Sequence, residues 1–192
     1  MLKRIFLAGS LVLALGITLP AHASSITYTA ILSGANEVPP HTVPGTGFAI
    51  FTLTGDSLSI DLTFTDLTSA PVAGHIHCCA FEGVNALVAV PFVGLPNSPS
   101  GTYTNTVDLT LASTYNPAFI TASGGTVADA ETAFIAGLNS GDTYANLHTT
   151  EFPGGEIRGQ IAATPEPGSI LLLGTGLVGL VETLRRRAKS TL

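Results

Sequence analysis

The chain has 192 residues, a formal net charge of −6, 45% apolar residues and only 10% charged ones. That apolar content excludes an intrinsically disordered chain, and the acidic balance excludes a nucleic-acid partner, whose phosphates such a surface repels. Between residues 24 and 163, eleven carboxylates face the single Arg158 and no lysine, so this one-domain stretch carries a net charge of about −10.

Residues 1–23 read as a signal peptide. Lys3 and Arg4 form a positive start, residues 5–19 an apolar run broken only by small residues, and Ala21-His22-Ala23 a small-x-small cleavage site. The alternative is a membrane anchor, for which the run is short. Residues 24–163 then form the domain. In residues 26–32, Ile26, Tyr28, Ala30 and Leu32 alternate with threonines as in a strand, and Gly34, Pro39 and Pro40 mark the loop behind it. His41, in the same proline-rich loop, reads as exposed. Residues 47–53 are apolar on both faces and are expected to be covered on both. A Gly55-Asp56 turn leads into residues 57–66, where Leu58, Ile60, Leu62 and Phe64 alternate with polar residues, an antiparallel hairpin.

Gly74-His75-Ile76-His77-Cys78-Cys79 comes next. Read as a strand, it puts Ile76 and Cys78 towards the core and His75, His77 and Cys79 on the opposite face, about 6–7 Å apart from one to the next. A short apolar run over 86–90 and a Pro/Gly/Ser loop over 91–101 follow. Residues 102–111 alternate again, with Tyr103, Val107, Leu109 and Leu111 inward. Residues 116–120 read as irregular. Thr126 is a candidate N-cap with Asp129 three residues on. Val127, Ala130, Phe134 and Leu138 recur at helical spacing, and Gly141 follows the end. Residues 143–149 and 155–162 are the last strands. About eight short strands and one short helix predict an all-β fold, an antiparallel β-sandwich or barrel.

The last two strands also send polar rows away from their apolar residues: Tyr144, Asn146 and His148, then Glu156, Arg158 and Gln160. If the three strands share a sheet, the rows form one patch, in which Glu156 and Arg158 could pair. An ordinary solvated face is the alternative. Neutral imidazoles suit copper or zinc, and two at i, i+2 on a strand can reach one ion, so His75, His77 and His148 are candidate ligands, with Glu156 or Cys79 to complete the set. The cysteines leave four alternatives open: a vicinal bridge, an intermolecular bridge, a buried thiol at Cys78, or a ligand at Cys79. The vicinal bridge is the preferred reading in an oxidising envelope.

At the other end, Pro165-Glu166-Pro167 precedes an apolar run over 168–181, and Arg185, Arg186, Arg187 and Lys189 close the chain. This tripartite arrangement over residues 164–192 resembles the PEP-CTERM sorting signal of Gram-negative bacteria. The resemblance implies a signal peptidase and an exosortase-type enzyme as processing partners, transient inner-membrane anchoring, and delivery to the cell surface or exopolysaccharide matrix. A plain C-terminal anchor is the alternative.

Leu32-Ser33-Gly34-Ala35-Asn36-Glu37-Val38-Pro39-Pro40 resembles the opening motif of the CHRD domain, and Gly74-His75-Ile76-His77 its central motif. Residues 141–149 and Pro153-Gly154-Gly155-Glu156-Ile157-Arg158-Gly159-Gln160-Ile161 are similar to its closing pair. The resemblance implies an immunoglobulin-like or superoxide-dismutase-like extracellular domain, a non-catalytic binding or structural module of the envelope or biofilm. A second resemblance, in the order His75, His77, His148 and Arg158, is to copper/zinc superoxide dismutase. It implies a copper- or zinc-binding redox protein as the alternative. No histidine lies between His77 and His148 to bridge two metals, so it extends only to a reduced metal site.

Overall fold

A computed structural model describes residues 25–164, 174–181 and 185. The signal peptide expected over residues 1–23 lies outside the described residues. So does most of the sorting segment, including Pro165, Glu166, Pro167, Arg186 and Arg187. Among the described residues, no helix is long and apolar enough to cross a membrane.

Among the described residues, nine strands form one antiparallel sheet that curls into a half-barrel. In chain order they are β1 (Ser25–Ser33), β2 (Thr46–Thr54), β3 (Ser57–Thr65), β4 (Ala73–Cys78), β5 (Leu87–Pro91), β6 (Gly101–Asp108), β7 (Thr143–His148), β8 (Ile157–Gln160) and β9 (Ala162–Ala163). Across the sheet they run β5-β4-β7-β8-β1-β2-β3-β6, with β9 also paired to β1. The all-β antiparallel class read from the alternation is therefore what the chain adopts. β3 shows the cause: Leu58, Ile60, Leu62 and Phe64 are buried, and the polar residues between them are largely exposed. The curl closes over these side chains together with Tyr28, Leu32, Phe51, Ile76, Leu147 and Ile157. Each such side chain removed from water contributes about 1.5–3 kcal/mol.

Two helices lie between β6 and β7. Helix α2 (Val127–Ser140) starts at Thr126, whose hydroxyl accepts from the Asp129 amide at 3.1 Å, and stops at Gly141, which takes φ 76°. Of the four residues its spacing singles out, it buries Ala130, Phe134 and Leu138, while Val127 is half-buried. Helix α1 (Pro117–Ala122) corrects the irregular reading of 116–120. Asn116 caps it by accepting from the Ala118 amide, and proline occupies its first position. At six residues it is too short to show a period.

Two burial expectations fail. Residues 47–53 are covered on one face only, since Phe48 and Ile50 are exposed on the outer side of β2. Leu111 is exposed too, because β6 ends at Asp108 and the chain turns before reaching it.

Candidate functional site

The strand order places β7 between β4 and β8, so the three polar rows meet on one face. His75 lies opposite Asn146, which lies opposite Arg158; His77 lies opposite Tyr144; Ala73 lies opposite His148. Ile76 and Cys78 point into the core between the histidines. This face is not an ordinary solvated one. The chain after Cys79 returns over it as far as Ala86, and the turn after β1 brings Glu37 down on it. Tyr144, Asn146 and Arg158 are buried as a result.

The imidazoles converge. One ligand-capable nitrogen from each of His75, His77 and His148 lies within 4.8 Å of the other two. His75 Nδ1 stands 3.2 Å from His148 Nε2. A tetrahedral ion holding imidazoles at about 2.0–2.1 Å separates its donors by about 3.4 Å, so this pair already has the spacing of two ligands, and the widest pair closes by up to about 1.4 Å. The second ring nitrogens of His77 and His148 are fixed. His77 Nδ1 donates to the Ala86 carbonyl at 2.9 Å and His148 Nδ1 to the Pro153 carbonyl at 3.0 Å. A ligating histidine has its second N–H tied down in the same way. His77 Nε2, left with its lone pair, is buried and has no hydrogen-bond partner among the described residues. Burial first, and the neighbouring histidines second, pull His75 down to about 4. Burial also takes His77 down to about 4, against the raising effect of its bond to Ala86. His148 is lowered by burial and held up in part by its bond to Pro153. All three rings are therefore neutral at neutral pH, the form that binds metal.

Behind the histidines stands a stack. The Tyr144 ring lies parallel to His77 with centroids 4.6 Å apart, and the Arg158 guanidinium carbon sits 3.3 Å from the Tyr144 centroid. Arg158 is 2% exposed and donates to Asn85 Oδ1 and the Val84 carbonyl. The Ala86 amide donates to the Tyr144 hydroxyl at 3.1 Å. Residues 84–86 are thus held by the stack they cover. Asn146 donates to both Glu37 oxygens, at 3.0 and 3.2 Å, and burial raises the Glu37 carboxyl above its ordinary range despite that bond. Gly155, at φ 127°, passes so close that a Cβ there would meet Asn146 Nδ2 at 2.6 Å and Glu37 Oε1 at 2.7 Å.

Three readings of individual residues are corrected. Glu156 does not pair with Arg158. It precedes the first residue of β8, and its carboxylate accepts from the Thr68 amide, the Thr68 hydroxyl and the Thr149 hydroxyl, at 2.8, 2.6 and 2.6 Å. Cys79 does not share the histidine face: β4 ends at Cys78, and the Cys79 sulfur lies 3.5 Å from the Ala133 carbonyl of α2. Cys78 and Cys79 are joined by a disulfide across a cis peptide bond. His41 is half-buried, stacked on Phe152 and bonded through Nε2 to the Glu156 carbonyl. Neither Glu156 nor Cys79 joins the histidine cluster. Sequence reasoning missed Glu37 and Asn85 as parts of the site. Glu37 sits in the loop motif quoted above, between Asn36 and Val38, where an acidic residue in a proline-rich loop gives no sign of burial. Asn85 carries no pattern at all.

Comparison with known families bears on this arrangement. The model of the CHRD domain matches residues 28–161, and that of the PEP-CTERM protein-sorting motif matches residues 163–188. The sorting motif implies export, sorting to the envelope of a Gram-negative bacterium and processing by an exosortase-type enzyme. Comparisons with curated proteins and with solved structures gave no match.

Proposed function

The chain belongs to the CHRD domain family, and from that premise we propose that it is an envelope module that holds one copper or zinc ion on His75, His77 and His148. The observation that carries this reading is the convergence of three imidazole nitrogens within 4.8 Å, two of the rings having their remaining N–H bound to a backbone carbonyl. Three nitrogen ligands leave a fourth position for water or a ligand from outside, the pattern of a site that does more than brace a fold. The sorting motif supports a place at the cell surface or in the exopolysaccharide matrix, reached by transient anchoring in the inner membrane; the positive start, apolar run and Ala21-His22-Ala23 support removal of residues 1–23 on export. The test is metal analysis of the purified chain after loading with copper or zinc and removal of the excess. The expected result is about one ion per chain, lost in His75→Ala and His77→Ala, as a three-nitrogen site requires. Less than stoichiometric metal in the unaltered chain refutes the metal site.

A further inference from the structure

Between the two ends of the 79–86 segment and the helices α1 and α2 lies an open pocket of about 440 Å³. Both cysteines line it, together with Ala86, Leu87, Phe119 and Ala133. Cys79 is exposed and Cys78 is buried. The sulfurs pack on α2 at Gly137, where a Cβ would come within 2.5 Å of Cys78 Sγ and 3.0 Å of Cys79 Sγ, so only glycine leaves the disulfide room. The Ala133 carbonyl lies 3.9 Å from Cys78 Sγ and 3.5 Å from Cys79 Sγ. A disulfide offers that oxygen no hydrogen, whereas two thiols would each offer one. The pair therefore has a packed oxidised position and a ready acceptor for the reduced form.

We propose that Cys78–Cys79 is a thiol–disulfide exchange site that takes electrons from a small dithiol entering through this pocket, and that its redox state sets the placement of His77. A thiolate of the dithiol attacks the exposed Cys79 sulfur. The Cys78–Cys79 bond breaks, its electron pair goes to the Cys78 sulfur, and that sulfur takes up a proton. The second thiolate of the reductant attacks its own partner sulfur in the mixed disulfide and releases Cys79, which is protonated in turn. The protein gains two electrons and two protons, and the reductant leaves as a disulfide.

The coupling runs through the chain itself. His77 immediately precedes Cys78, and the segment leaving Cys79 returns to His77 at Ala86, whose carbonyl accepts from His77 Nδ1. That segment is tied at its start by the disulfide and by the Ala80 amide, which donates to the Asp142 carbonyl, and at its end by Arg158 and Tyr144. Opening the disulfide removes one of these ties and leaves the others to hold the segment, so its bonds to Arg158 and Tyr144 open more often. The effect on metal rests on the proposed metal site; the exchange chemistry does not.

The test treats the full chain with dithiothreitol without denaturant, then with iodoacetamide, and measures the Cys78–Cys79 peptide by mass. Two carbamidomethyl groups after dithiothreitol and none before are expected. A disulfide that resists reduction until denaturant is added overturns the exchange site. Hydrogen exchange on the same unaltered chain then reads the segment: the Val84 and Ala86 amides should exchange faster after reduction, and unchanged rates overturn the coupling. In a third arm, zinc affinity is compared between the oxidised chain and the Cys78→Ala/Cys79→Ala variant, which adds no thiol ligands. The variant should bind about 10–100-fold more weakly, as when a support behind a ligand is lost. Equal affinity also overturns the coupling. Absence of zinc from the oxidised chain counts against the metal site alone, because the first two arms do not depend on it.

Discussion

His75 Nδ1 and His148 Nε2 face each other at 3.2 Å across the β4–β7 pair, and the proton between them belongs to His75. His148 already gives its Nδ1 hydrogen to the Pro153 carbonyl, so in the neutral ring its Nε2 can only accept. A metal ion would take the place of that shared proton. His148→Ala should therefore abolish the thermal stabilisation that zinc confers, which for free metal at 1,000 times the dissociation constant is about 4 kcal/mol. His148 is the half-buried last residue of β7, so the variant should fold. Melting curves with and without zinc check this. A zinc-dependent shift of equal size in His148→Ala would remove the residue from the site.

The same burial predicts how the metal-free chain responds to acid. His75 and His77 are held down to about 4, while in the unfolded chain they titrate at about 6.5. Between those values the unfolded chain binds more protons, so falling pH favours unfolding. Above about 6.5 both states are neutral at these rings and the dependence vanishes; below about 4 both are charged and it levels off. Glu37, raised by burial, acts in the opposite sense and gains stability as pH falls through its folded value. The readout is therefore a difference: between pH 6.5 and 4 the melting temperature should fall more steeply in the unaltered chain than in His75→Asn/His77→Asn. Parallel profiles would show that the histidines do not carry the effect.

Arg158 is the most deeply placed cation among the described residues; its charge acts on the Glu37 carboxyl, but no close ion pair holds it. It is held by a ring face, a carbonyl and an amide oxygen. Arg158→Ala removes the stack on Tyr144 and leaves the Val84 carbonyl and Asn85 side chain without their donor. The expected cost is about 2–4 kcal/mol, against less than about 0.5 kcal/mol for Asp61→Ala on the exposed face of β3. Arg158→Lys should recover little, because an ammonium cannot reproduce the planar stack and both bonds. Denaturant titration of the three variants gives the comparison. Equal midpoints for Arg158→Ala and Asp61→Ala would deny the stack its structural role.

Local pattern reached the strands and the rows but not what covers them. The alternation in β3 and the Gly55-Asp56 turn are consequences of a two-residue period and a tight turn, both written in neighbouring residues. The separation of His75 and His77 from Ile76 follows from the same period. That β4 lies beside β7 follows from the order of the sheet, set by pairs such as Ala73 with His148 and Cys78 with Thr143, about 65–75 positions apart, which no window of sequence reports. Cys79 left the expected face because the strand ends one residue earlier. Glu156 left it because Gly155, at φ 127°, turns the backbone just before β8 begins. The burial of Arg158 depends on residues 84–86 folding back, and that segment has neither period nor motif.

Glu156 carries the last prediction. Its side chain is 0% exposed, and three donors converge on it, from the amide and hydroxyl of Thr68 and the hydroxyl of Thr149. Thr68 lies between β3 and β4 and Thr149 just beyond β7, so the carboxylate ties three chain segments at the end of the sheet that also holds His148. Gln in its place keeps the shape but turns one acceptor oxygen into a donor. With the NH₂ in place of Oε1, the Thr68 amide N–H meets a donor; with it in place of Oε2, both threonine hydroxyls must turn round to accept and lose their bonds to the carboxylate. Either loss costs about 1–3 kcal/mol. For a domain of this size that lowers the melting temperature by about 2–4 °C per kcal/mol. Glu82→Gln, at an exposed position, should leave it unchanged. Thr149→Val removes one donor and Thr68→Val another, so Glu156→Gln combined with either should cost less than the sum of the single changes. Strict additivity in that double-mutant cycle would show that the three groups do not act together.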